Sequence, residues 1–367
     1  MTDRNTRIML ALGYAMAVLG GASFGLVLPV LPDLLASVGA RDEGAAAQMG
    51  GLLIAAFALM QLVGAPVFGA LSDAYGRKPV LAFALITGVC GHGAMALAPS
   101  LGLLIAGRAL TGLSAAAFVA FSAMIADQIE PERRATVFGR LSAADGAGLV
   151  AGPAFVGFLA EYSLRAPFVL VAGFEAMLLV AVIAWLRETL SADNRRQVVW
   201  SETTPFKTLR KVSDTSGNKP ILVVLGLFSL GFISLPIMWA YFTAVRFDWG
   251  PAEVGFSMSV LGLATIGANG LVLPFLRRLM SDKAILWITF TIGPILMIWL
   301  ATNEDVTVLY VLVVLLAQAS IGFAILEGLL SANTPPDFQG ALQGGMGVID
   351  STTSIIAPFL YPWIFAL

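Results

Sequence analysis

Apolar runs long enough to cross a membrane recur eleven times along the chain, and no other feature constrains its fold as tightly. Their cores fall at 8–35, 47–70, 79–98, 101–126, 136–159, 167–187, 220–245, 253–276, 284–301, 307–331 and 341–366. A helix needs about 20 mostly apolar residues to span a bilayer. Inside lipid each backbone N–H and C=O must be satisfied without water, and for runs of this length a helix does so within the segment itself. Of the 367 residues, 58% are hydrophobic and 12% charged, whereas soluble domains carry about 25% charged residues. The chain therefore reads as an all-α integral membrane protein. One Cys (Cys90) and one His (His92) exclude an internal disulfide and leave no basis for a Cys/His metal cage, so no metal site is expected. The first run is too long for the apolar part of a cleaved signal peptide, and no A-x-A pattern ends it.

The basic residues sort by side. With the N-terminus inside, 17 of the 21 Lys and Arg lie in inside segments, Arg41, Arg165 and Arg246 lie outside, and Arg108 lies within a span. That asymmetry places the N-terminus in the cytoplasm, in a multi-pass protein of the cytoplasmic (inner) membrane. The longest polar stretch, Arg187 to Lys219, contains SGNKP and no apolar period of its own. It divides the chain into an N-terminal transmembrane half (1–187), a cytoplasmic linker (188–219) and a C-terminal transmembrane half (220–367). Six spans precede the linker and five follow it. The halves share a pattern. Asp145 lies eight residues before Pro153 and Gly139 fourteen before it; Asp350 and Gly344 stand at the same offsets from Pro358. Pro131 and Pro336 each lie twenty-two residues before those prolines. Repeated halves around a central site are characteristic of secondary transporters.

Four acids and one base fall inside spans: Asp145, Glu175, Glu327, Asp350 and Arg108. Ionisable groups are expensive in a bilayer, so each is a candidate functional residue; each also admits a packing role through a hydrogen bond or a partner charge. Burying Arg108 calls for a carboxylate or backbone carbonyls nearby. Four acids against one base give a negative interior, which suits a cationic or zwitterionic solute or protons alone. His92 could relay protons, although packing is the simpler role, and Cys90 reads as a small buried apolar residue. There is no P-loop, G-x-S-x-G, H-E-x-x-H or Cys/His cluster, so neither an enzyme nor an ATP-driven pump is expected, and no cofactor.

Several motifs carry a family likeness. GALSDAYGRKPVL, with Gly69, Asp73, Gly76, Arg77 and Lys78, resembles the loop 2–3 signature of the major facilitator superfamily; Ala74 stands where a basic residue is usual. GRALTGLSAA is similar to the span-four signature with its embedded arginine, Arg108. AGLVAGPAFVGF, with Gly148, Gly152, Pro153 and Gly157, is similar to the span-five antiporter signature. GLVLPVLPDLL, RFDWGPAEVGFS and QGALQG resemble the tetracycline-efflux group of drug:proton antiporters.

The resemblance covers nearly the whole chain. It implies the major facilitator fold, two pseudo-symmetric six-helix halves, here with eleven spans visible and the twelfth absent. It implies a conformational latch at Gly69, Asp73, Gly76, Arg77 and Lys78, with Asp127 at the end of span four as partner acid, and a hinge at Gly148, Gly152, Pro153 and Gly157. Spans five, ten and eleven border the central cavity in this fold, which favours Asp145, Glu327 and Asp350 as proton-coupling or substrate residues over Glu175 on the supporting span six; Arg108 reports or relays protonation, or else anchors helices. One departure bears on substrate. Tetracycline exporters carry acids in spans one, three and nine, where this chain has Gly20, Gly91 and Gly293. The expected function is a proton-coupled antiporter that exports a small amphiphilic or drug-like compound, with protons and the bilayer as its other partners, no nucleic acid, and action as a monomer. A proton-coupled symporter, or a membrane protein that binds without transporting, are the alternatives.

Overall fold

The computed structural model describes residues 4–198, 200, 203–215, 217–335 and 339–365. Pro336, one of the matched prolines, lies outside them. Among the described residues there is no strand, and ten segments are long and apolar enough to cross a membrane. The eleventh apolar run is also helical. In order the helices are α1 (Arg4–Leu26), α2 (Leu31–Ala36), α3 (Glu43–Tyr75), α4 (Arg77–Leu97), α5 (Leu101–Ala115), α6 (Phe118–Gln128), α7 (Pro131–Ala160), α8 (Ala166–Trp185), α9 (Pro205–Ser213), α10 (Asn218–Phe247), α11 (Pro251–Gly267), α12 (Leu273–Leu279), α13 (Asp282–Thr302), α14 (Val306–Leu316), α15 (Ala319–Asn333) and α16 (Gln339–Phe365).

Three expectations change. The first run, 8–35, is not one helix: α1 stops at Leu26, a turn follows, and α2 starts at Leu31. Pro29 and Pro32 cause the break, because proline lacks an N–H donor and pushes the preceding residue out of the helical region. The linker, in turn, contains α9, a helix of nine residues. Its Val212 is buried against α16, where a Cβ at Gly345 would lie 3.3 Å from Val212 Cγ2. Cys90 is exposed on the outside of α4 rather than buried.

Spans four and ten break alike. In span four, α5 gives way to α6 through tightened bonds from Ala116 N–H to Leu113 O and from Ala117 N–H to Ser114 O; in span ten, Ala317 and Gln318 N–H donate to Val314 and Leu315 in the same way. The corresponding span in each half is thus interrupted by an i to i+3 turn. Span eight carries a different irregularity, a π-helical turn at Ala268–Val272 between α11 and α12.

Within the N-terminal half α1 packs on α7, α3 on α5, and α4 on both α5 and α8; in the C-terminal half α10 packs on α15 and α16, α11 on α14, and α13 on α14 and α15. The halves meet along two seams, α7 against α11 and α3 against α16. The face bearing the α3–α4 turn and α9 is here called the linker face, and the other the far face. On the far face the halves are sealed. The Tyr241 hydroxyl of α10 donates to Ala46 O of α3 over 3.0 Å, and Tyr241 is 1% exposed. A Cβ at Gly51 would lie 2.8 Å from Pro358 of α16. Toward the linker face, Gly139 and Gly146 on α7 and Gly347 on α16 have no non-local atom within 4 Å of a Cβ position.

Docking of α9 rests on apolar burial. Val212→Ala removes two carbons, about 1.5 kcal/mol of burial, so amide hydrogen exchange across 205–213 should accelerate about tenfold while exchange in α4 stays unchanged.

Candidate functional site

Helix α7 carries the central chemistry because of how closely its backbone is approached from two sides. A Cβ at Gly21 of α1 would fall 2.0 Å from Asp145 O, and one at Gly148 would fall 1.9 Å from Val18 O. Gly152 meets Ala22, with Cα 2.8 Å from its Cβ position. Gly148 and Gly152 thus face α1 of their own half, and only glycine permits this backbone contact. Gly157 faces the other way. Its Cβ position lies 2.3 Å from Pro251 O at the start of α11, and that of Gly255 lies 2.1 Å from Pro153 O. Beside Pro153, Ser259 of α11 enters the α7 hydrogen-bond ladder. Its hydroxyl donates to Val150 O and accepts from Ala154 N–H over 3.3 Å. A side chain inserted next to a proline is a recognised cause of a helix kink. Ser259 was not legible in the sequence, since nothing local marks a serine that bonds residues more than a hundred positions away.

The ionisable residues divide into two groups. Asp145, Glu327 and Asp350 are exposed, the first two within segments long and apolar enough to cross a membrane and Asp350 on helix α16, and among the described residues none is in an ion pair. Asp145 Oδ1 sits 3.6 Å from the Cβ position of Gly20. The carboxylate of span five therefore occupies space into which an acid at position 20 would project. Position 91 could hold no side chain: its Cβ would meet Gly107 O and Thr111 Cγ2, both at 2.8 Å. At Gly293 the neighbour is Gln318 Nε2, 3.4 Å away.

Glu175 and Arg108 are buried, at 5% and 2% exposure. Glu175 Oε2 lies 2.8 Å from His92 Nδ1, joining α8 to α4. Arg108 has neither of the expected compensations at Nε and Nη1, which meet no hydrogen-bond partner. Its guanidinium instead lies over the Phe57 ring of α3, 4.2 Å from the centroid, a cation–π contact that holds a charge against an apolar surface. A cavity of about 530 Å³ within the N-terminal half is bordered by Phe57, Gln61, His92, Asp145 and Glu175. Its size suits a drug-like molecule. A larger groove of about 990 Å³ between α1, α7 and α8 has an almost wholly apolar lining and carries no titratable group.

At the linker face the loop 2–3 residues form one cluster. Arg77 pairs with Asp73 one turn before it and with Asp127 at the end of α6, Nε to Oδ2 3.3 Å, and donates to Ser72 Oγ over 2.9 Å. Gly76 adopts φ +108, and a Cβ there would lie 2.5 Å from Glu188 Oε2. Gly69 lies at the edge of this cluster, its carbonyl accepting from Ser72 Oγ at 2.9 Å. Lys78 donates its Nζ to Ile183 O over 2.9 Å. Two residues absent from the motif complete the arrangement. Glu188, just beyond α8, accepts from the backbone N–H groups of Arg77 and Lys78, both at 3.0 Å, and so caps α4, whose own N-cap Gly76 has no side chain. Thr189 donates to Asp127 Oδ2 over 2.8 Å. Every one of these contacts lies within the N-terminal half and the start of the linker.

Burial alone raises the pKa of the Glu188 carboxyl, but backbone N–H groups of Leu190, Arg77, Lys78 and Thr189 outweigh it and hold the carboxyl below its usual range. A depressed folded-state pKa contributes stability at neutral pH that is lost only as pH falls through the depressed value. Protection of 186–196 from limited proteolysis should therefore persist at pH 5 and fail well below the ordinary Glu value of about 4.3. Glu188→Ala should remove that protection at pH 7, with a loss of about 1–2 kcal/mol for an unmade helix cap.

Comparison with known proteins agrees with this architecture. The family model described as Major Facilitator Superfamily matches residues 10–364. The chain is 33% identical over 371 residues to the tetracycline resistance protein, class C, of Escherichia coli, covering 99% of this chain and 90% of that protein. It is 31% identical over 355 residues to the class H protein of Pasteurella multocida, covering 96% and 87%. Among solved structures, a bacterial homolog of the human lysosomal transporter Spinster, in an inward-facing conformation, superposes with a TM-score of 0.75 at 17% identity, covering 98% of this chain and 82% of that one. With its helical repeat, its loop 2–3 cluster and this match across nearly its whole length, the chain belongs to the Major Facilitator Superfamily.

Proposed function

We propose that this protein is a proton-coupled antiporter of the cytoplasmic membrane that exports a small amphiphilic compound, cationic or zwitterionic, with the N-terminus and linker in the cytoplasm. The observation that carries the reading is the set of three exposed carboxylates, Asp145 and Glu327 in spanning segments and Asp350 on the apolar helix α16, outside any ion pair among the described residues. A carboxylate without a fixed basic partner is free to exchange a proton for a cationic group. The resistance proteins named above support drug-like cargo, while glycine at positions 20, 91 and 293 argues for a substrate other than tetracycline.

In the cycle we infer, the linker-open state releases protons from these acids to the cytoplasm and admits substrate. The halves then rock about the α7–α11 and α3–α16 seams. Protons from the far side neutralise the acids and expel the substrate. Arg108, stacked on Phe57, supplies a fixed positive charge in the wall of the N-terminal half. The cycle asks for no cofactor and for one copy of the chain.

Two measurements test this. In energised inside-out vesicles with a pH dye, cationic and zwitterionic compounds should trigger proton release, and Asp145→Asn with Asp350→Asn should reduce it at least about tenfold, an effect of about 1.4 kcal/mol or more on coupling. Release that survives the double variant moves the coupling to Glu327, checked with Glu327→Gln. For the seam, Ser259→Ala removes a hydroxyl that bonds two backbone groups of α7. A loss of about 1 kcal/mol should raise the far-open population about fivefold, read from spin-label distances between positions 139 and 279 in a Cys90→Ser background.

A further inference from the structure

The cycle above leaves one buried titratable pair unused, and that pair has its own architecture. His92 is 1% exposed and Glu175 5%. His92 Nδ1 faces two oxygen acceptors, Glu175 Oε2 at 2.8 Å and Gly88 O at 3.2 Å. That arrangement assigns a proton to Nδ1 whether the ring is neutral or charged. The second proton of an imidazolium must therefore sit on Nε2. Nε2 is buried and meets no hydrogen-bonding protein group, and the ring borders the cavity that Asp145 also borders. Space for the carboxylate is made by Gly88, whose Cβ position lies 2.5 Å from Glu175 Oε1.

We propose that His92 and Glu175 form a proton-binding site inside the N-terminal half, exchanging protons with Asp145 across their shared cavity. Its place in transport rests on the antiport reading above; the existence of the site does not. With its proton, the imidazolium–carboxylate pair is neutral overall; without it, a single anion stays buried between α4 and α8. On release, the proton leaves Nε2, the Nδ1–H bond to Glu175 stays, one negative charge appears at the pair and one is neutralised at Asp145. The surroundings suit this exchange. Around the cavity, α7 presents Asp145, α5 presents Thr111 and Ser114 with Arg108 one turn before them, and α1, α3 and α6 present only uncharged side chains.

His92 is the only histidine in the chain, so nitrogen NMR of histidine-labelled, full-length protein in lipid nanodiscs, purified without a histidine tag, reads this site alone. The probe is the proton itself, titrated from pH 5 to pH 9. The ring signals should pass between neutral and imidazolium patterns within that range. Glu175→Gln should displace the passage by about tenfold or more in proton concentration, and Asp145→Asn by a smaller factor of about two to five. An unchanging neutral ring in the wild type, or a passage that both variants leave in place, would overturn the proposal. If Glu175→Gln does not fold, Asp145→Asn, exposed in the cavity, decides alone. Proton release driven by substrate, measured on the same samples, separates the two readings. A ring that titrates in protein showing no release keeps the site and overturns antiport.

Discussion

Helix α7 is held between α1 of its own half and α11 of the other by contacts of backbone on backbone, and most of the remaining structure depends on that arrangement. Lipid tails are as apolar as the helix surfaces, so helices in a bilayer gain little from hiding apolar side chains and must gain from close packing. Gly21, Gly148 and Gly152 bring α1 against α7, while Gly157 and Gly255 bring α11 against it. One helix is thereby fastened on two faces. Asp145 and Pro153 lie on that same helix, so the candidate coupling acid and the proline sit where the two halves are joined. Ser259 extends the arrangement by bonding to Val150 and Ala154 on either side of the proline position.

The charges are managed in three different ways. Glu175 is held by a hydrogen bond from His92, and Arg108 by the face of Phe57. Asp145, Glu327 and Asp350 are instead left exposed and without ion pairs among the described residues. A compensated charge is stable in an apolar interior, whereas a carboxylate held in no ion pair can change its protonation state and its partner. The N-terminal half thus contains both kinds side by side, around one cavity. At the linker face, by contrast, charge serves connection. Arg77 and Glu188 tie the α3–α4 turn to the end of α6 and to the chain leaving α8, so the linker begins from an anchored point.

The two halves repeat each other in backbone detail as well as in sequence. Span four and span ten are both interrupted by a tightened turn, and Asp145 and Asp350 hold the same offset from a proline in spans five and eleven. The repetition does not extend to every group. The His92–Glu175 pair and the Arg108–Phe57 contact belong to the N-terminal half, while Glu327 and Asp350 lie on α15 and α16 of the C-terminal half without an ion pair among the described residues. The halves share a scaffold and differ in how they hold charge.

The sequence by itself determined where the apolar runs lie, that they are helical, and where Asp145, Glu175, Glu327 and Asp350 fall along them, because in lipid each segment must satisfy its own backbone and hydropathy records that requirement locally. It also placed Arg77 one turn from Asp73, since that pairing lies within neighbouring residues. It could not show that the first run breaks into two helices, although Pro29 and Pro32 were there to read, nor that the linker holds α9. The tertiary structure alone decided which faces meet. His92 and Glu175 are 83 residues apart, Glu188 and Arg77 are 111 apart, and Tyr241 and Ala46 are 195 apart. Hydropathy cannot mark such partners, because a helix face against lipid and a face against another helix are equally apolar, and only shape and the placement of a few polar groups tell them apart.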